Sequence, residues 1–195
     1  MNTKEQIINK LIEENGYTRY LEIGYQYGHC YNQIECEYKA AVDPAITEQR
    51  DDLFSMGSNQ FFTCLFDGDI QTKEFDIVFI DGLHHADQVR KDIINASKCL
   101  SVNGAIVLHD LIPPTKEAQI VPRETKQWTG DVWRAMVGFR KKYPEVVAYT
   151  HNCDYGVGVI FPAGKVFTRR FVDKTTTYED FVKNQEILLG IVRNK

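Results

Sequence analysis

Nothing in the chain approaches the ~20 consecutive apolar positions that a membrane-spanning helix requires. The longest apolar runs, such as 77–80, have the length of a strand. Residues 1–14 carry charges throughout and have no apolar stretch of the kind a secretory leader needs. The five cysteines (30, 36, 64, 99 and 153) are odd in number and contain no C-x-x-C, which excludes a disulfide framework and a zinc cluster and leaves them as packing residues. An excess of basic charge is missing too. The net charge is −4, and because residues 165–195 hold seven Lys/Arg against four Asp/Glu, the first 164 carry −7, the reverse of a nucleic-acid-binding face. There is no repeat and no low-complexity segment. Together these absences predict a soluble cytoplasmic protein of a reducing compartment, with neither membrane nor nucleic acid as partner.

What is present is the composition of a globular chain: 195 residues, 43% hydrophobic and 26% charged. At this length about 70% of the unfolded surface is buried on folding, so a core forms without a disulfide or a metal. One domain over 1–195 is expected. It would comprise an N-terminal helix in 1–16, a sheet core over 17–162 and a helical extension over 165–195. Ile7, Ile8, Leu11 and Ile12 repeat at helical spacing, and Asn15-Gly16 supplies the stop. Arg19–Ile23 reads as a strand, 30–38 as a helix, 40–43 as a second strand, 47–53 as a helix, and 54–56 as a weak third strand closed by Gly57-Ser58-Asn59. Residues 75–81 are apolar on both faces, as a buried parallel strand must be.

Ala86, Val89, Ile93, Ala96 and Leu100 mark one helix face, and Gly104 leads into a strand over 105–108. Val132, Ala135, Met136 and Phe139 mark another helix, with Asp131 as its N-cap. Strands over 146–150 and 156–161 have only a short link, as in an antiparallel pair. Thr177 caps a last helix whose inner face is Tyr178, Phe181, Val182, Leu188, Leu189 and Val192. The connection 111–130, with Pro113, Pro114 and Pro122, has the length of a lid or binding loop.

Strands alternating with helices predict an α/β fold, an open, mostly parallel sheet with helices on both faces, which binds ligands beyond the carboxyl ends of its strands. The first strand ends Glu22-Ile23-Gly24-Tyr25-Gln26-Tyr27-Gly28, where Gly24 and Gly28 permit a tight turn. Asp43, nineteen residues after Gly24, is placed to accept from ribose hydroxyls. Gln26 breaks the G-x-G-x-x-G dinucleotide pattern. Glu22 and Asp43 would repel phosphates and attract the ammonium and sulfonium of S-adenosylmethionine. Asp81 and Asp110 end two strands that, as neighbours, would lie about 5 Å apart. Carboxylates that close need a cation or a proton between them, and oxygen ligands suit Mg²⁺ or Ca²⁺, with His84 within one turn. Capping of turns is the alternative use of such aspartates. His109 reads as a strand-end histidine bonded to backbone, one of His84 and His85 as a solvated or capping residue, and Trp128 as an aromatic wall for substrate.

Tyr20-Leu-Glu-Ile-Gly-Tyr-Gln-Tyr-Gly28 with Val42-Asp43-Pro44, Asp76-Ile-Val-Phe-Ile-Asp-Gly-Leu-His84 and Gly104-Ala-Ile-Val-Leu-His-Asp110 resemble the class I S-adenosylmethionine-dependent methyltransferases. The branch they are most similar to is that of the macrocin-type and other sugar O-methyltransferases. The resemblance covers residues 17–162 and implies a Rossmann-like, seven-stranded sheet of order 3-2-1-4-5-7-6 with strand seven antiparallel. It implies that Glu22, Gly24, Tyr25 and Gly28 surround the methionine part of the cofactor, that Asp43 binds the ribose, and that Ser58-Asn59 lies near the adenine. It implies further that Asp81 and Asp110 hold Mg²⁺ and that His84 is the base. No third metal acid is evident, and Gln26 stands where many members carry Gly. O-methylation of a small-molecule or sugar hydroxyl is the expected activity, with dimerisation through the terminal helices a habit of the family. A module that binds S-adenosylmethionine or S-adenosylhomocysteine without chemistry, and a nicotinamide-dependent oxidoreductase, stay open as alternatives.

Overall fold

In the central strands alternate side chains go to opposite sides of the sheet and both sets are buried, which demands a covering layer on each face. The computed structural model describes residues 3–72 and 74–192. The strands are β1 (Arg19–Ile23), β2 (Tyr38–Val42), β3 (Leu53–Phe54), β4 (Phe75–Ile80), β5 (Leu100–Leu108), β6 (Val147–His151), β7 (Val157–Phe161) and β8 (Ile191–Val192). They form one sheet in the order β3-β2-β1-β4-β5-β7-β6-β8. The pairs from β3 to β5 are parallel, β7 is antiparallel to β5 and β6, and β8 is parallel to β6. The expected order 3-2-1-4-5-7-6 is found, with β8 as an added two-residue edge.

Tyr20, Ile77, Phe79, Ala105 and Val107 pack with α1 (Lys4–Asn15) and the irregular segment 25–34. Leu21, Val78, Ile80, Ile106 and Leu108 pack with α2 (Ser58–Asp67), α3 (Ala86–Ala96), α4 (Trp133–Lys142) and α5 (Tyr178–Leu189). The start of α1 is fixed by a capping box in which Thr3 Oγ1 accepts from the Gln6 amide and Gln6 Oε1 accepts from the Thr3 amide. Its end is Gly16 at φ 65. Thr177 caps α5 as expected, accepting from the Asp180 amide at 3.1 Å.

Several elements differ from the sequence expectation, and strand pairing explains most of them. Residues 30–38 hold only a 3₁₀ turn, Tyr31–Gln33. Tyr38 is taken into β2 opposite Arg19, and Lys39 Nζ donates to the carbonyls of Tyr31 and Ile34, closing the turn after three residues. Residues 47–53 are not helical, because Leu53 joins the sheet opposite Ala41. Gly57-Ser58-Asn59 does not close a strand but opens α2, whose Phe61, Phe62 and Leu65 are buried. β5 begins at Leu100, with a register shift between Phe75 and Ile77. Asp131 caps α3 rather than α4: its Oδ1 accepts from the Ala86 amide at 2.7 Å. On α5, Phe181 and Leu189 face inward but Val182 is exposed, and Val192 belongs to β8.

Between α2 and α3 lies a buried carboxyl with a predictable cost. Asp92 accepts from Gln88 Nε2 at 3.0 Å, but this bond, the Ser58 hydroxyl and the charge of Lys91 offset burial only in part, and its pKa is pushed from 3.8 up to about 6. A carboxyl raised in the folded state destabilises where it is ionised, so the cost is absent below pH 4 and complete above pH 6. Asp92→Asn keeps an acceptor for Gln88. It is expected to add roughly 1–3 kcal/mol at pH 8 and nothing at pH 4. Thermal unfolding at the two pH values checks this, with a rise of several degrees expected only at pH 8.

Candidate active site

β1, β4 and β5 end in register, with Ile23 beside Ile80 and Ile80 beside Leu108. The ladder continues one residue further: the amide of Gly24 donates to Val42, that of Asp81 to Ile23 and that of His109 to Ile80. Gly24, Asp81 and His109 therefore meet at one edge. They open onto a cavity of about 630 Å³, lined on one side by Glu22, Gly24, Tyr25 and Asp43 and on the other by Asp81, His84, His109 and Asp110. A second cavity of about 440 Å³ is lined by Ser58 and Asn59 and shares Gly24, Asp43, Gly82 and Leu83 with the first, so the two are halves of one cleft.

The turn after β1 is built on close backbone approach. Gly24 has φ 103, and a Cβ there would stand 2.5 Å from the Asp81 carbonyl carbon. Gln26 adopts φ 50, the left-handed conformation that many sequences fill with glycine, and its amide donates to Asp43 Oδ2 at 3.0 Å. Asp43 Oδ1 also accepts from the Ala45 amide, and a carboxylate retains lone pairs for further donors. Gly28 does not line the cleft. A Cβ there would meet the Tyr25 ring, so its bare Cα shapes the seat of Tyr25, whose hydroxyl bonds Glu48. Glu22 is buried beside the Tyr20 hydroxyl, which donates to it, and burial pushes its carboxyl up to about 7.

The opposite wall is an ionic cluster. His84 Nε2 stands 3.4 Å from Asp81 Oδ1 and His84 Nδ1 3.1 Å from Asp110 Oδ2. His109 Nδ1 lies 3.2 Å from Asp81 Oδ1, and its Nε2 lies 3.6 Å from Asp154 Oδ1. Lys4 Nζ donates to Asp81 Oδ2 at 2.9 Å. Asp110 takes φ 61, a left-handed conformation uncommon for a non-glycine residue. Burial opposes ionisation of Asp81, but His109, His84 and Lys4 outweigh it and hold the carboxyl well below the usual carboxylate range. Burial likewise opposes charge on the two imidazoles, yet the carboxylates win: His84 is raised and His109 is pushed up to about 10. Asp110 is raised by burial and by the like charge of Asp81, which the same cations offset only in part.

Residues 111–130 contribute Arg123, Gln127 and Trp128 to the lining. The Trp128 ring stacks on His84 at 5.3 Å and 20°, and its Nε1 donates to the Ile120 carbonyl at 2.6 Å. Gln127 Nε2 donates to the Tyr155 hydroxyl, tying the loop across the mouth. Two members of the cluster, Lys4 and Asp154, are absent from the sequence expectation, and a third, His109, is expected there to bond backbone only. His109 pairs with carboxylates instead of backbone alone, and Lys4 and Asp154 arrive from distant turns with no local motif to announce them.

Asp81, His84 and Asp110 each offer a ligand atom, all within 4.8 Å of one another, and the buried His84 Nδ1, though 3.1 Å from Asp110 Oδ2, makes no well-aligned hydrogen bond among the described residues. That donor set fits a divalent cation. No helix is long and apolar enough to cross a membrane among the described residues.

Among solved structures the chain is similar to a Staphylococcus aureus protein assigned as a caffeoyl-CoA O-methyltransferase, at 17% identity and a TM-score of 0.59, over 80% of this chain and 81% of that one. It is similar to an O-methyltransferase from Bacillus cereus in complex with S-adenosylhomocysteine, at 12% identity and a TM-score of 0.56, over 81% and 80%. It also matches the MycE methyltransferase of the mycinamycin pathway, in complex with Mg, S-adenosylhomocysteine and mycinamycin VI, at 16% identity and a TM-score of 0.53, over 78% of this chain and 47% of that one. These likenesses establish a shared Rossmann-like fold. No curated protein matches the sequence. A family model described as a methyltransferase domain matches residues 7–111, more than half of the chain and the span that carries the β1, β4 and β5 strand ends. The chain belongs to this methyltransferase-domain family.

Proposed function

We propose that the chain catalyses S-adenosylmethionine-dependent O-methylation of a hydroxyl on a small molecule or sugar. One observation carries the reading: a single cleft pairs an acidic, glycine-lined wall (Glu22, Gly24, Asp43) with a histidine set between two carboxylates (His84, Asp81, Asp110). The acidic wall suits a ligand bearing ammonium and sulfonium, and the cleft extends past Asp43 to Ser58 and Asn59, where an adenine would lie. In this reading Asp43 takes the ribose hydroxyls, and Glu22, Gly24 and Tyr25 surround the amino-acid part. Glu22, titrating near 7, becomes fully ionised beside a bound ammonium.

The cofactor supplies a methyl group on a sulfonium that leaves as a neutral thioether. Asp81 and Asp110 would hold a divalent cation, which supplies positive charge that lowers the pKa of an acceptor hydroxyl. His84 takes the hydroxyl proton as the new O–C bond forms and the S–C bond breaks. Asp81 and Asp110 favour the protonated imidazole and so strengthen His84 as a base, while Trp128 stacked on its ring fixes the plane. Residues 111–130 cover the mouth and exclude water, and the gain in rate comes mainly from holding oxygen and methyl in register. The same reading places the chain in the cytoplasm, in keeping with five free cysteines.

Calorimetric titration of chelator-stripped protein with S-adenosylmethionine, S-adenosylhomocysteine and NAD tests the reading, with Mg²⁺ added last. Binding of the two sulfur ligands, no heat with NAD and further heat with Mg²⁺ are expected. Failure to bind either sulfur ligand overturns it.

A further inference from the structure

The cation already on Asp81 belongs to the protein. Lys4, the first residue of α1, donates through Nζ to Asp81 Oδ2 at 2.9 Å, with only a fifth of its side chain exposed. It is held at a second point as well: its backbone amide donates to Asp154 Oδ2 at 3.0 Å. Behind it, Ile7 and Ile8 are buried in the core, so the helix cannot slide without breaking packing. Its ammonium lies 5.9 Å from the centre of the Phe79 ring. This is an anchored ammonium, unlike a free surface lysine. The other Asp81 oxygen faces His109 and His84 at 3.2 and 3.4 Å, so both carboxylate oxygens are engaged.

We propose that Lys4 and a divalent cation are mutually exclusive occupants of Asp81. With Lys4 in place the carboxylate is neutralised without a metal, and a cation enters only as the first turn of α1 withdraws the ammonium. The two compete for the same lone pairs, and two cations within reach of one partly buried carboxylate repel strongly where the dielectric is low. The inference rests on the proposed function only in taking Asp81 as a cation-binding carboxylate. Lys4 lies outside residues 7–111, so the device sits on a turn that the family model does not cover. Lys4 is thereby a positioning residue: it keeps Asp81 aimed at His84 and His109 when no metal is bound.

The test is calorimetric titration of Mn²⁺ into the chelator-stripped chain, comparing the unaltered protein with Lys4→Met and Lys4→Arg. Lys4→Met is expected to bind Mn²⁺ at least tenfold more tightly than the unaltered protein, and Lys4→Arg no more tightly. A lysine that merely braced the fold would not produce tighter binding when removed. Equal or weaker binding by Lys4→Met, or no Mn²⁺ uptake by any of the three, overturns the proposal. Amide hydrogen exchange on the unaltered protein gives a second reading. Saturating Mn²⁺ is expected to speed exchange in the first turn of α1 and leave Leu11 and Ile12 unchanged; unchanged or slowed exchange in that turn overturns the proposal. S-adenosylhomocysteine titrated into the same samples separates the two failures, since its loss strikes the methyltransferase reading and leaves the Mn²⁺ comparison standing.

Discussion

Asp81→Asn is expected to slow methyl transfer by about a thousandfold, within the 10²–10⁴ range that a positioned acid–base group contributes. Affinity for S-adenosylhomocysteine should change by less than about threefold, because Asn retains the shape of the side chain and leaves the backbone bond from residue 81 to Ile23 untouched. What disappears is the charge. Among the described residues Asp81 alone of the carboxylates contacts Lys4, His84 and His109 together, and its neutral replacement would leave three cationic or proton-bearing groups facing an amide. His84 would lose one of the two carboxylates that make it a strong base, and any divalent ion would lose a ligand. Single-turnover kinetics beside calorimetry separate the effects. Wild-type turnover in the variant sinks the mechanism. Parallel loss of turnover and S-adenosylhomocysteine binding would move Asp81 to the cofactor side of the cleft.

The strand ends were legible in the sequence because buried parallel strands are written as continuous apolar runs, and a parallel sheet brings the ends of such runs to one edge. Gly24, Asp43, Asp81 and Asp110 each stand just past such a strand and Glu22 lies one residue inside the end of β1, and all five line one cavity. Lys4 and Asp154 escaped because each reaches the site through packing: the first on a helix laid across the sheet, the second in the turn before β7. A charge in a helix's first turn reads as surface until the helix is docked. His109 was visible, but its partners Asp81 and Asp154 come from just past β4 and from that same turn, and no spacing along the chain encodes them. The helices expected at 30–38 and 47–53 failed for a related reason, since Tyr38 and Leu53 are claimed by pairing with strands far along the chain. Helix α2 was hidden by an ambiguity of local chemistry: Gly57-Ser58-Asn59 is as good a helix start as a turn. Only the buried stripe of Phe61, Phe62 and Leu65 distinguishes the two.

Gly24→Ala is expected to weaken S-adenosylhomocysteine binding at least a hundredfold and to destabilise the fold by about 2–4 kcal/mol, the sum of a left-handed conformation imposed on alanine and overpacking against fixed atoms. The atoms in the way are all backbone. At φ 103 the new methyl would stand 2.5 Å from the Asp81 carbonyl carbon and 2.7 Å from Gly82 Cα, and no side-chain rotation can relieve it. Either the end of β1 or the start of the 81–85 turn must move. Because the Gly24 amide is bonded to Val42 and the Asp81 amide to Ile23, movement in either direction reaches the second strand or the ionic cluster. The two losses therefore have one cause and should appear together in thermal unfolding and in calorimetry. An alanine variant with unchanged melting temperature and unchanged ligand affinity would mean that the ends of β1 and β4 are not in van der Waals contact in solution. The convergence of acidic wall and histidine cluster on one cleft would then lose its structural basis.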